Sequence, residues 1–308
     1  MKKNYSRILY VFVLIAFIAS LVVVYVMNYD KKEVDYDKIQ IVTTVFPYYS
    51  LSNEICNFNA NVVMLIKPGS ESHTYEPTSE DIKSIINSDI FIYTGGESDK
   101  WVETILSSID TNKTKIIKTT DYVEPLKTNH HGETSFDEHI WTSMKNAKII
   151  SQTICNAICE IDIQNKHNYT ANTQKLINKL EALDSRFTEI INNSNKTVVF
   201  ADRFPFAYFA REYNLNYISA FESCTEESEP SVQAISNIIN TINEQDIGVI
   251  FYIEFSNQKV ADMIVEETGV KKLLFHSCHN ISQEEFNEGA SFISIMENNL
   301  NNLEEAIN

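Results

Sequence analysis

Apolar residues recur along the chain in short continuous runs separated by longer stretches with helical spacing. The runs Ile39–Val45, Asn61–Ile66, Ile90–Tyr93 and Lys115–Lys118 have strand length. Between them Ile82, Ile85 and Ile86, and then Trp101, Val102, Ile105, Leu106 and Ile109, repeat at intervals of three and four. Strand alternating with helix predicts parallel strands joined by crossover helices. A second set, Thr197–Phe200, Tyr217–Phe221, Gly248–Ile253 and Lys272–Phe275, repeats the alternation, with helices through Val232, Ile235, Ile238, Ile239 and Ile242 and through Val260, Met263 and Ile264. Between the sets, Leu176, Leu180, Leu183, Phe187, Ile190 and Ile191 mark one helix from Asn168 to Asn193 with no Gly or Pro inside. Such a helix spans roughly 36 Å, enough to join two lobes as a stiff connector. The expected fold is therefore α/β, with two lobes that each hold a mostly parallel four-stranded sheet and flanking helices, joined by a long rigid helix. A single large domain with a peripheral helix is the alternative.

The N-terminus departs from this pattern. Ile8 to Met27 is an apolar run interrupted only by Tyr10, Ser20 and Tyr25, and roughly 20 residues of helix cross a hydrocarbon core. Lys2, Lys3 and Arg7 precede it, so the positive-inside rule predicts a single-pass signal anchor with the bulk of the chain extracellular. A cleaved signal peptide competes, but the run is long and lacks a clear small-x-small cleavage site. No cysteine lies near its end, which leaves lipoprotein anchoring without support. Expected boundaries are a transmembrane signal-anchor over 1–29, a tether over 30–38, a first lobe over 39–167, a connecting helix over 168–194 and a second lobe over 195–308.

Charge narrows the ligand class. The net charge of the 308-residue chain is -17, and because residues 1–29 hold three cations and no acids, the rest carries 22 basic against 42 acidic residues, or -20. Such a surface repels nucleic-acid phosphates and favours cations as ligands. Five cysteines are too few and too irregular for a disulfide framework. Cys155 and Cys159, four apart in a helical pattern, read as small buried residues on one face. Cys224 and Cys278 lie near strand ends of the second lobe, where a disulfide is favoured over a metal pair in an oxidising compartment.

Of the seven histidines, three sit where open α/β sheets bind ligands, at the carboxyl ends of strands. His73 lies in a turn-rich loop after the second strand, ahead of a helix start at Thr78 and Asp81. His139 follows Asp137 and Glu138, acids that can accept a proton from the ring nitrogen not used for ligation. His276, with His279 beside it, follows the last strand of the second set. Three loops from two lobes, each bringing an imidazole, point to a metal held between the lobes.

The segments Thr43-Thr-Val-Phe-Pro47, Gly69-Ser-Glu-Ser-His-Thr-Tyr-Glu-Pro77, Glu138-His-Ile-Trp141, Phe206-Ala-Tyr-Phe209, Glu227-Ser-Glu-Pro-Ser231 and Glu266-Glu-Thr-Gly269 resemble those of the metal-binding proteins of bacterial zinc and manganese ABC importers, the ZnuA- and TroA-like group. The resemblance covers nearly all of residues 38–308. It implies two α/β lobes joined by a long helix, one divalent metal in the cleft, and delivery of that metal to a membrane permease. Carried over residue by residue, it makes His73 and His139 the first two ligands and places His276 at the last. The third, a His or Glu shortly before the Phe-x-Tyr-Phe segment, falls on Arg203, which has no lone pair to donate. Either water or a nearby carboxylate fills the fourth place, or Asp202, Glu222 or His279 substitutes. Glu254 and Glu222 are the carboxylates expected to neutralise Arg203.

Histidine ligation favours Zn2+ over the alternative Mn2+. The acidic stretch from Asp121 to Glu138, with His130 and His131, reads as a loop that gathers zinc or as a plain solvated surface. The expected function is an extracellular, membrane-anchored, monomeric solute-binding protein that takes Zn2+ as transported ligand and is no enzyme. Rivals are a surface adhesin with a structural zinc and a zinc-dependent hydrolase, although no His-Glu-x-x-His motif is present.

Overall fold

The computed structural model describes residues 38–130, 133–221 and 230–307, with Val13, Ile15 and 17–20 of the N-terminal run. Residues 38–308 form one compact unit. Its first half contains β1 (Ile39–Thr43), α1 (Phe46–Cys56), β2 (Ala60–Met64), α2 (Ser79–Ile86), β3 (Ile90–Tyr93), α3 (Lys100–Leu106), β4 (Lys115–Lys118), β5 (Lys127–His130), β6 (Glu133–Phe136) and α4 (Met144–Ile161). The long helix α5 (Lys166–Asn192) follows. The second half contains β7 (Val198–Phe200), α6 (Ala207–Tyr213), β8 (Tyr217–Ser219), α7 (Val232–Gln245), β9 (Val249–Tyr252), α8 (Lys259–Thr268), β10 (Lys271–Leu274), α9 (Gln283–Asn287) and α10 (Phe292–Ile307).

Two parallel four-stranded sheets result, in the orders β2-β1-β3-β4 and β10-β9-β7-β8. Their central strands are buried on both faces: all four residues of β3 and the first three of β9 are inaccessible, as continuous apolar runs under crossover helices must be. Helix starts follow the local chemistry. Thr78 and Asp81 form a reciprocal capping box at α2, Ser282 and Glu285 another at α9, and Ser143 caps α4 by accepting from the Asn146 amide.

The long helix spans about 40 Å for its 27 residues. Tyr169, Thr173, Leu176, Leu180, Leu183, Phe187 and Ile191 bury one face of it, against α1 and α4 on one side and α6 and α10 on the other. One apolar cluster therefore runs from Ile41 and Tyr48 through Leu180 and Phe187 to Phe200, Phe251 and Phe275. Each such fully buried side chain contributes roughly 1.5–3 kcal/mol of transfer free energy, so the two lobes share a continuous core.

One element has no counterpart in the apolar pattern. The stretch from Asp121 to Glu138, read as a loop, contains the antiparallel hairpin of β5 and β6, with Lys127 opposite Phe136 and His130 opposite Glu133. His131, Glu222 and Cys224 lie outside the described residues. So does most of the run Ile8 to Met27, and among the described residues no helix is long and apolar enough to cross a membrane. Cys278 is a buried free thiol, so the expected Cys224–Cys278 disulfide is absent.

Candidate metal centre

Three loops at the carboxyl ends of strands converge between the sheets. The first follows β2. Its amides at Leu65 and Ile66 donate to the carbonyls of Thr43 and Thr44, and it is clamped from the second half by Asn280, whose Nδ2 donates to the carbonyls of Lys67 and Ser70 at 2.8 Å. This loop presents His73. The second follows β6 and presents His139. Tyr208 of α6 braces it, donating to the Asp137 carbonyl at 3.0 Å and accepting from the Leu126 amide at 2.8 Å. The third follows β10. Trp141 joins it to the second by donating Nε1–H to the Ser277 carbonyl at 2.8 Å.

The rings of His73, His139 and His279 face one another. Their centroids are 6.0 Å apart for His73 and His139, 4.9 Å for His73 and His279 and 5.0 Å for His139 and His279. With Glu138 they offer four donor atoms that all lie within 4.8 Å of one another. The rings are held by acids on their far sides. His139 Nδ1 is 3.0 Å from Asp137 Oδ1. His73 Nδ1 is 2.8 Å from Ser98 Oγ and 3.2 Å from Glu138 Oε1. An acceptor on Nδ1 fixes the tautomer that leaves Nε2 with a lone pair, the usual support for a metal-bound histidine.

Glu138 is itself fixed, accepting from the Ser98 amide at 3.0 Å and from Ser98 Oγ. Close approach here requires glycine, because a Cβ on Gly96 would stand 2.5 Å from the Glu138 Cβ. Burial acts to raise the Glu138 pKa, but the hydrogen bond from His73 and the fields of His279 and His139 outweigh it and hold the carboxyl well below its ordinary range. His279 goes the other way. Burial, then His73 and His139, keep its ring neutral far below the usual imidazole range. A buried neutral imidazole beside an ionised carboxylate suits a dication.

The structure brings His73 and His139 together and seats His276 elsewhere. The His276 amide donates to Asn299 Oδ1, and Asn299 Nδ2 donates to the His276 carbonyl, both at 2.8 Å. Its Nδ1 accepts from the Cys278 amide at 2.9 Å, while Nε2 stands 3.5 Å from Glu285 Oε1. Burial acts to lower the His276 pKa, and Glu254 and Glu285 overcome it, so the ring is raised above its ordinary value. The chain then reverses through Cys278 at φ 64, which turns His279 to the cleft and His276 into the second half. No glycine marks that left-handed turn, so the strand end alone could not tell the two histidines apart.

Arg203 follows β7 and is 23% exposed, with Nη1 3.9 Å from Glu71 Oε2 of the first loop. Neither expected acid meets it in the described residues: Glu254 accepts from the Ser277 amide and hydroxyl, and Glu222 is not among them. Asp202 is buried and accepts from the Arg203 amide at 2.8 Å, outside the donor cluster.

A second buried acid supports the Glu138 loop. Asp99 accepts from the amides of Thr94 at 2.7 Å and Gly95 at 3.1 Å, and burial, reinforced by Glu138, pushes it from 3.8 up to about 7. The folded state therefore binds the Asp99 proton more tightly than the unfolded chain does. Its contribution to stability is full below pH 3.8 and is lost as pH rises through about 7. The linkage is worth up to about 4 kcal/mol. Asp99→Asn should accordingly flatten the fall in Tm between pH 5 and pH 8, as thermal melts of both proteins would show; an unchanged slope would mean that Asp99 is ionised throughout.

Comparison with known proteins gives a consistent picture. The family model described as zinc-uptake complex component A, periplasmic, matches residues 41–306. The zinc-binding lipoprotein AdcA of Streptococcus pneumoniae is 28% identical over 287 residues, covering 90% of this chain and 57% of that protein. The chain thus spans little more than half the length of the streptococcal relatives. The high-affinity zinc uptake system protein ZnuA of Bacillus subtilis is 28% identical over 282 residues, 88% of each. The crystal structure of the Zn(II)-bound ZnuA-like domain of Streptococcus pneumoniae AdcA superposes with a TM-score of 0.74 at 28% identity, covering 88% of this chain and 99% of that one.

Proposed function

The chain belongs to the family of zinc-uptake complex component A, and we propose that it is a solute-binding protein outside the cytoplasmic membrane that captures one Zn2+ through His73, His139 and His279 and delivers it to an ABC permease. The observation that carries this reading is the convergence of three imidazoles from loops of both halves, two of them backed by carboxylates at Nδ1. Glu138 serves in it as the positioning acid of His73, since both its oxygens are engaged by Ser98. Three nitrogen donors favour zinc over manganese, which prefers more oxygen. The segment Ile8 to Met27 anchors the protein in the membrane as a single span. Val13, Ile15, Phe17 and Ile18, the large apolar residues described within it, are exposed on helical backbone, as a lipid-facing segment requires.

Zinc titration of the full chain, solubilised in mild detergent, tests this directly. One Zn2+ per chain is expected at pH 7.5. Affinity should fall on acidification through the ordinary imidazole range, by up to about tenfold per pH unit for each ring that must lose a proton. His279 adds little to that competition because it is neutral before the metal arrives. Binding of zinc with the same affinity at pH 7.5 and 5.5, or no binding at all, would remove histidine capture as the function.

A further inference from the structure

We propose that the three-histidine centre takes its zinc together with a small monovalent anion, a halide or a single carboxylate group, which completes the metal's coordination and lies against the guanidinium of Arg203. The inference rests on the reading of His73, His139 and His279 as ligands. Three neutral imidazoles leave a tetrahedral Zn2+ one donor short and with its full charge. Glu138 is held by Ser98 and faces Nδ1 of His73, so it orients that ring.

Arg203 lines the same small cavity as His73 and His279, together with Glu71, Ser277 and Asn280. Its charge reaches the centre, because it disfavours a positive charge on His279. A zinc ion at the three rings meets the same repulsion, and an anion between the two cations converts it into attraction on both sides. The space is about 20 Å3, measured for the centre of a water-sized group. That admits a halide or one carboxylate oxygen and excludes phosphate and bulky chelates. Glu71 stands at the outer side of the guanidinium, 3.9 Å from Nη1 and 39% exposed, and is not among the converging donors.

The test is zinc affinity of the full chain in detergent, at buffered free Zn2+ and fixed ionic strength, in chloride, bromide, acetate or the non-coordinating trifluoromethanesulfonate. Wild type, Arg203→Gln and Glu71→Gln are compared. Wild type should bind at least tenfold tighter in chloride or acetate than in trifluoromethanesulfonate, and Arg203→Gln should reduce that ratio below twofold. Bromide should add a heavy scatterer to the zinc X-ray absorption spectrum, and acetate should tighten binding without one, which separates the two anion sources. Equal affinities in all salts with one zinc bound would overturn the anion while leaving zinc capture intact. An anion effect retained in Arg203→Gln would remove Arg203 from it. One that emerges only in Glu71→Gln would make Glu71 the internal anion and overturn the proposal. Absence of zinc binding in every salt would end the capture reading and this one together. If Arg203→Gln does not fold, the wild-type bromide spectrum decides alone.

Discussion

Replacing His73, His139 or His279 by Ala should each weaken zinc binding by 10²–10³-fold, whereas His276→Asn should keep one zinc per chain with affinity within about tenfold of wild type. The magnitude follows from the worth of a zinc site. About 10–16 kcal/mol spread over four donors gives roughly 3–4 kcal/mol per donor, and each 1.4 kcal/mol is about a factor of ten. His276→Asn keeps an acceptor near the place of Nδ1 for the Cys278 amide, and its cost should be seen in stability, since the ring is buried between Glu254 and Glu285. Competition with a chromophoric chelator, with circular dichroism to confirm the fold, separates these outcomes. Loss of zinc in His276→Asn with retention in His279→Ala would mean that the loop after β10 rearranges to bring the other ring to the metal.

Arg203→His should act in the opposite direction and tighten zinc by at least about tenfold. The substitution adds an imidazole donor on the wall of the cavity that His73 and His279 also line, and it removes a permanent cation from beside the metal. Glu71 loses its partner at 3.9 Å, but as an exposed acid it returns to water at little cost. An affinity within threefold of wild type would show that this side chain does not reach the open coordination position.

Much of the architecture is legible in the chain because burial on both faces forces continuous apolar strands, and crossover helices force a period of three to four. The hairpin of β5 and β6 escaped because its residues, Lys-Thr-Asn-His and Glu-Thr-Ser-Phe, carry no apolar alternation. His73 and His139 stood out by their loops, one ahead of a capping box and one behind two acids. The last ring did not. Which of His276 and His279 faces the cleft is decided by the turn at Cys278 and by Asn299, whose two hydrogen bonds to the His276 backbone come from 23 residues away. The role of Glu138 depends likewise on Ser98, 40 residues earlier, and the acid beside Arg203 comes from the other half of the molecule. Contacts of this range leave no periodicity for a reader of the sequence to find.

The central claim is that His73, His139 and His279 hold the metal, and anomalous X-ray diffraction at the zinc edge from crystals of the zinc-loaded protein tests it most directly. The predicted result is one strong peak at about 2.0–2.1 Å from a ring nitrogen of each of the three, with His276 directed away toward Glu285. A peak held by His276 with Glu254 and Glu285, or one confined to the hairpin histidines, would contradict it.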